Sequence, residues 1–561
     1  MIENPPETKV RAVLLVLLAL MGLACGKGSS GGGQLYVDRT AELGVEFRHQ
    51  SGAPAGNYQM PEVVCGGVAV FDHDGDGRVD LYFSDGGDVL GKGSPNRLFR
   101  QLETGRFEDA TEASGLGDEG YGFGAAVADI DNDGDLDVQV SNLRIDGLYL
   151  NDGSGRFRDV APSYGYETSA WSTSAVFSDL DRDGYLDLFV CQYVQHDPEK
   201  RCFSPAGEHD YCGPRAFLPL SDRLFHNQQG RGFDDISSTS GIISTRGAGL
   251  GVISEDLSDD GWPDLYVAND GYANNLWVNQ GNLTFLDDAM LAGVALNFAG
   301  HAEAGMGLAA ADLDDDADID IFVTHLTSET NTFYEKTGRG TSFVDATGRS
   351  GLSTSSLIHT GFGVWAFDAE HDGDLDLAIA NGRVLRGKPN EQSDAPDPWN
   401  TLVEPNLFYE NDGAGEFTVS RRARVFSDRL SVTRGVVPFD LDDDGDLDLV
   451  VTNTEEDAQV LENVGADGAW LRVRAFDPRL NRDAIGAELR LVAGGRVMLR
   501  TIKGGSGYLN AAPAEAHFGL SDLESAQFLE VRWPDGLKEE HDVPGLNRQL
   551  VVERGAGRDQ P

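Results

Sequence analysis

The chain has 561 residues, with 93 Asp and Glu against 44 Lys and Arg, and a formal net charge of −49. That length exceeds one ordinary domain, and the acidity argues against nucleic acid as a partner. Hydrophobic residues at 40% and 70 glycines mark a folded, turn-rich chain of short strands and exclude a disordered one.

At the N-terminus, Lys9 and Arg11 precede the apolar run 12–24, which ends at Cys25-Gly26. The run is short for a membrane span and suits the apolar region of a signal peptide, so residues 1–25 are read as an export signal. Leu23-Ala24-Cys25 resembles the lipobox of bacterial lipoproteins, whose cysteine is acylated after cleavage. Gly22 stands where such boxes hold Leu, which leaves lipidation at Cys25 and plain secretion both open. Either way the protein is expected to be exported, as an outer-membrane or cell-surface lipoprotein or secreted. Residues 26–35 form a Gly/Ser tether.

From residue 36 to 464 one loop pattern, Asp-x-Asp-x-Asp-Gly-x-x-Asp, returns seven times between apolar stretches. Loop 1 carries Asp72, Asp74, Asp76, Gly77 and Asp80, and loop 2 carries Asp129, Asp131, Asp133, Gly134 and Asp137. Loop 3 has Asp179, Asp181, Asp183, Gly184 and Asp187; loop 4 has Asp256, Ser258, Asp260, Gly261 and Asp264. Loop 5 has Asp312, Asp314, Asp316, Ala317 and Asp320, and loop 6 has Asp368, Glu370, Asp372, Gly373 and Asp376. Asp440, Asp442, Asp444, Gly445 and Asp448 complete loop 7. A second phrase recurs between loops, as in Asn96-Arg97-Leu98-Phe99 with Phe107, or Asn406-Leu407-Phe408-Tyr409 with Phe417. Each unit therefore holds about four short strands. Radial packing of such units predicts an all-β, seven-bladed propeller, with Tyr36 to Thr40 supplying the strand missing from the last blade.

Oxygen donors at alternate positions of a tight loop converge on one point, which is the arrangement calcium selects. Position 6 needs the sharp turn glycine allows, and Asp at position 9 is expected to add two oxygens. Up to seven Ca²⁺ are expected, since clustered carboxylates repel one another without a cation. Magnesium fits less well because it demands rigid octahedral geometry. Loop 4, with Ser258, and loop 5, with Ala317, are expected to be the weakest sites.

The longest gaps follow loops 3 and 6 and mark insertions on which function is expected to sit. Cys202 and Cys212 flank a short loop in the first insertion and are the expected disulfide. Cys65 and Cys191 lie beside apolar strand patterns, where free thiols and a second bridge both remain open. From Gly468 the loops stop and a β-rich module begins, assigned to 465–555 with a tail at 556–561. Its phrases Asn481 to Ala487, Gly505 to Tyr508, His517-Phe518-Gly519-Leu520 and Val531 to Gly536 resemble the ASPIC and UnbV domain. Joined to these loops, which resemble integrin-like FG-GAP/VCBS repeats, the chain is similar to the cartilage acidic protein family. Tyr211-Cys212-Gly213-Pro214 and Gly305-Met306-Gly307 share that likeness, while Arg383 stands where relatives often place His. The resemblance implies an extracellular calcium-binding protein with interaction roles and no established catalysis. Asp483 and His517 are the two residues of the C-terminal module to follow, with packing favoured over a ligand site for both.

The reading is therefore a calcium-stiffened cell-surface binding module whose partner is an unspecified protein or glycan, with the membrane reached only through a lipid. The alternative is a carbohydrate-active or other propeller enzyme using the central channel. No catalytic residue is assigned: the Gly28 to Gly32 match to a nucleophile elbow lies in the tether, and Gly86 to Gly93 lacks the hydroxyl a P-loop requires.

Overall fold

A computed structural model describes residues 33–52, 57–505 and 507–559. The expected signal peptide with Cys25, and residues 26–32 of the expected tether, lie outside the described residues. Among the described residues the propeller region forms seven four-stranded antiparallel sheets. Sheet 1 takes Val68–Phe71, Asp80–Phe83, Arg97–Gln101 and Phe107–Asp109. Sheets 2 to 6 repeat that order in sequence, and sheet 7 consists of Thr433–Phe439, Asp448–Asn453, Gln459–Asn463 and the N-terminal strand Tyr36–Asp38. Tyr36 pairs with Asn463 and Asp38 with Leu461, so the two ends of the propeller region meet in one sheet. The first strands neighbour one another in a closed cycle from sheet 1 to sheet 7 and back. Second strands such as Asp187–Gln192 are buried along their whole length, because each sheet is packed between two others.

Every connection from first to second strand is one of the acidic loops, so all seven lie on one face. Position 4 has positive φ in each, at Gly75, Asn132, Arg182, Asp259, Asp315, His371 and Asp443. Loop 5 follows the same path although Ala317, at φ 67°, replaces glycine at position 6. The two insertions leave from the other face. One carries the Cys202–Cys212 disulfide; Cys65 and Cys191 are buried free thiols.

The C-terminal module is two sheets packed on each other. One is built on Trp470–Asp477, flanked by Ala516–Gly519 and by the parallel strand Arg548–Glu553. The other runs Arg496–Thr501, Glu488–Ala493, Phe528–Arg532, Lys538–His541 and Arg558–Asp559. The pairing of Asp559 with Glu539 makes part of the expected tail an edge strand and extends the module beyond residue 555. Leu471, Val473, Leu489, Phe518 and Trp533 share one apolar cluster with Ala126, Ile130, Phe177 and Leu188 of sheets 2 and 3. The module thus sits on the face that carries the acidic loops.

From that seat, residues 503–505 and 507–512 enter the propeller axis. Gly507 exchanges backbone hydrogen bonds with Val252, at 3.1 and 3.0 Å, and Ala511 with Val68 and Val70, at 3.1 and 2.9 Å. Leu509 N donates to Ser174 Oγ at 2.9 Å, and Val68 N to Asn510 Oδ1 at 3.0 Å. The Tyr508 hydroxyl reaches Val64 O, where Met60, Val63, Trp171, Tyr211 and Trp399 close the far end of the axis. Glycine is required along this path: a Cβ at Gly67 would lie 2.2 Å from Leu509 O, and one at Gly124 2.7 Å from Leu509 Cα.

Candidate metal centres

Each acidic loop is shaped by its own carboxylates before any ion is considered. The position-1 aspartate accepts the position-6 backbone N–H on Oδ2 in all seven: Gly77, Gly134 and Gly373 at 2.8 Å, Gly261 and Gly445 at 3.0 Å, Gly184 at 3.1 Å and Ala317 at 3.2 Å. This ties the turn back to its origin, as an Asx motif does.

Position 9 does something the sequence did not reveal. Oδ1 of Asp80, Asp137, Asp187, Asp264, Asp320, Asp376 and Asp448 accepts the N–H of the last residue of the third strand, at 2.6 to 3.0 Å. Oδ2 accepts a second N–H from early in its own loop, for example Ile130 at 3.0 Å and Leu441 at 2.8 Å. Both oxygens that the sequence reading gave to calcium are already stapling the loop to its sheet. A carboxylate keeps further lone pairs, so these residues can still touch an ion, but their certain work is structural.

The third strands also link neighbouring loops. Asn151, Asn227, Asn279, Asn411 and Asn463 each donate Nδ2 to a carbonyl of the preceding loop: His73, Ile130, Leu180, Leu313 and Ala369 respectively, at 2.8 to 2.9 Å. Gln101 closes the cycle onto Leu441 O at 2.7 Å, and Lys336 joins sheet 5 to Asp259 of loop 4 at 2.6 Å.

What remains after this accounting fits a cation. Oδ1 of Asp179, Asp312 and Asp440 is buried without a hydrogen-bond partner, as are Oδ1 of Asp74, Asp131 and Asp314 and Oε2 of Glu370. All are at positions 1 or 3. Such oxygens are costly to bury unless something positive meets them. Burial first, and neighbouring acids next, push Asp129 up to about 7, Asp372 to about 7 and Asp131 to about 6. Burial also carries Asp179, Asp312 and Asp440 to about 7 despite a nearby arginine in each case. Groups of three ligand atoms within reach of one ion occur at Asp72/Asp74/Asp76, Asp129/Asp131/Asp137 and Asp179/Asp181/Asp183. In loop 4, Ser258 Oγ is likewise buried and unpartnered.

Cationic side chains of the C-terminal module meet the same loops from above. Arg472 pairs with Asp440 and, at 2.7 Å, Asp443; Arg532 with Asp256 at 2.9 Å; Arg496 with Asp315 at 2.8 Å and with Asp374. Arg482 stands 4.0 Å from Asp179 and donates to Gly184 O at 3.1 Å. His517 Nε2 bonds to Gly445 O at 2.9 Å, its ring 5.1 Å from that of His371, and burial drives its pKa well below the ordinary value. Asp483 accepts a hydrogen bond from Arg474 within the module. Both residues singled out there serve packing and docking. Arg383 binds Glu404 at 2.9 Å on the opposite face.

FG-GAP-like repeats match residues 72–140, 144–190 and 256–323, and an ASPIC and UnbV domain matches 477–559. Cartilage acidic protein 1 of Mus musculus is 29% identical over 352 residues, covering 61% of this chain and 50% of that protein. The Homo sapiens protein is 28% identical over 359 residues, covering 62% and 50%. The chain therefore aligns with about half the length of these relatives. Among solved structures, Saccharomyces cerevisiae Sqt1 aligns over 77% of this chain and 99% of its own, with a TM-score of 0.40 and 8% identity. An Agrocybe aegerita protein described as recognising non-reducing terminal N-acetylglucosamine aligns over 72% and 94%, with a TM-score of 0.39 and 14% identity. Those scores add nothing to the architecture described above.

Proposed function

Because the chain is homologous to cartilage acidic protein 1 and joins FG-GAP-like repeats to an ASPIC and UnbV domain, we propose that it is an exported interaction protein whose propeller is stiffened by calcium. The observation that carries the calcium reading is the set of buried, partnerless oxygens at positions 1 and 3, held in place by loops whose other carboxylate oxygens are already satisfied. Bound calcium supplies positive charge and joins ligands from one loop into a rigid unit. Asp129, Asp131 and Asp133 of loop 2 and Asp312, Asp314 and Asp316 of loop 5 are the clearest ligand sets, because among the described residues no arginine or lysine ion pair reaches them. Calcium-dependent rigidity suits an extracellular module.

The binding reading gains support from where the chain itself goes. Residues 503–505 and 507–512 lie in the axis in which an enzyme of this architecture would place its chemistry, and the C-terminal module covers the loop face. The opposite face remains, with both insertions. Phe203, Leu218 and Leu385 on those insertions are 66%, 64% and 55% exposed, and the Cys202–Cys212 bridge restrains the first. This is the face we assign to a protein or glycan partner.

Equilibrium dialysis of the exported chain is expected to give several calcium equivalents, and melting in calcium should occur at a higher temperature than in chelator. An unshifted melting temperature together with no bound calcium would remove the structural-ion reading.

A further inference from the structure

Resting on that calcium reading, we propose that loop 1 is not a divalent-cation site: the guanidinium of Arg100, the fourth residue of its third strand, takes the ion's place. In the third strands Arg97–Gln101, Gly147–Asn151, Arg223–Asn227, Asn275–Asn279, Thr332–Lys336, Leu407–Asn411 and Gln459–Asn463, that register holds Arg100, Leu150, His226, Val278, Glu335, Glu410 and Glu462. The residue after it bonds to the position-9 aspartate in every sheet, so the register is fixed against the loop.

In sheet 1 the consequence is direct. Arg100 Nε lies 2.7 Å from Asp74 Oδ2 and its Nη2 2.9 Å from Asp76 Oδ2, which are positions 3 and 5 of loop 1. Arg78 pairs with Asp76 as well. The guanidinium is permanently charged and lies within ion-pair distance of both carboxylates, with Nη2 donating to Asp76 Oδ2 while the Nε N–H has no hydrogen-bond partner among the described residues. The same oxygens cannot serve a divalent ion without gathering two cations at one site. Asp74 keeps a partnerless Oδ1, but the two carboxylates on which a third ligand would converge are committed.

Elsewhere the register changes sign. Leu150 and Val278 bring no charge to loops 2 and 4. In sheets 6 and 7 the same register holds the carboxylates Glu410 and Glu462. Loop 3 lies between these cases: His226 Nδ1 is 2.9 Å from Asp187 Oδ1 and 3.8 Å from Asp181 Oδ2. Glu335 in sheet 5 and Glu462 in sheet 7 are paired with Arg349 and Arg39, so Arg100 is the one permanent cation that this register brings to a loop.

The test counts and locates ions in the full exported chain. Crystals grown in calcium, with anomalous peaks used to place the ions, should show density in loop 2 and none in loop 1. Arg100→Leu should bind one equivalent more than wild type by equilibrium dialysis, with a new peak in loop 1. Arg97→Leu, which removes another arginine of the Arg100 strand, one paired with Asp109 of the neighbouring strand, should leave the count unchanged. A wild-type peak in loop 1 overturns the assignment without any variant, and so does an unchanged count in Arg100→Leu. If neither protein binds calcium at any loop, the calcium reading itself has failed and this assignment falls with it.

Discussion

A single carboxylate in this protein can have its two oxygens doing different jobs, and the chemistry follows the oxygen more than the residue. Asp440 shows it: Oδ2 accepts from Gly445 N and Arg472, while Oδ1 is buried with nothing to meet it. Where no cation is at hand, burial alone sets the outcome. Asp222 lies 6% exposed on the side away from the acidic loops, accepts only the Gln192 N–H at 2.9 Å, and burial pushes it up to about 7. Its folded pKa is above its unfolded one, so the native state binds the extra proton between about pH 4 and 7 and loses stability as pH rises through that window. Asp222→Asn is expected to match wild type near pH 4 and to be more stable at pH 8, by roughly 4 kcal/mol at most. Denaturant midpoints at the two pH values check this; an asparagine variant no more stable at pH 8 would mean the carboxylate is well solvated or paired. The seven acidic loops were legible in the sequence because alternate acids are a local pattern. The work of position 9 and of Arg100 was not, since both depend on which residue of another strand lies opposite.

Among elements, the third strand turns seven separate loops into a connected ring. Asn227 donates to Ile130 O of the preceding loop at 2.8 Å and to Leu186 O of its own at 3.0 Å, and is 2% exposed. Removing its amide leaves two buried carbonyls without that donor, which costs about 1–3 kcal/mol each. Asn227→Ala should therefore lower stability by roughly 2–6 kcal/mol, whereas Asn282→Ala, on an exposed turn, should stay within about 0.5 kcal/mol of wild type. Equal losses in unfolding experiments would remove the linking role. The recurring asparagine was visible in the sequence as part of a phrase, though its partner in the neighbouring unit was not. Residues 503–512 were less legible still. They carry no periodic pattern, and nothing local says that Gly67 and Gly124 are small because Leu509 passes beside them.

At the scale of the whole molecule, two regions that the sequence separates at residue 465 share a core and an axis. Trp470 packs so close to loop 7 that a Cβ at Gly445 would lie 1.9 Å from its ring, and Leu471, Phe518 and Trp533 belong to the same cluster as Ile130 and Leu188. Linkers between independent domains cross few contacts; here a strand-like segment of one region hydrogen-bonds the first strands of the other along the channel. Unfolding the C-terminal module would withdraw residues 507–512, expose the apolar inner strands and leave the arginine-paired carboxylates of loops 4 and 7 uncompensated. The propeller would lose its stability at the same moment. We therefore expect calorimetry in calcium to show one cooperative transition for the whole chain, and Tyr508→Ala, which empties a fully buried site, to lower it by the equivalent of about 3–5 kcal/mol without splitting it. Two resolved transitions in the wild-type protein would show that the regions fold separately and that the inserted segment is a passenger.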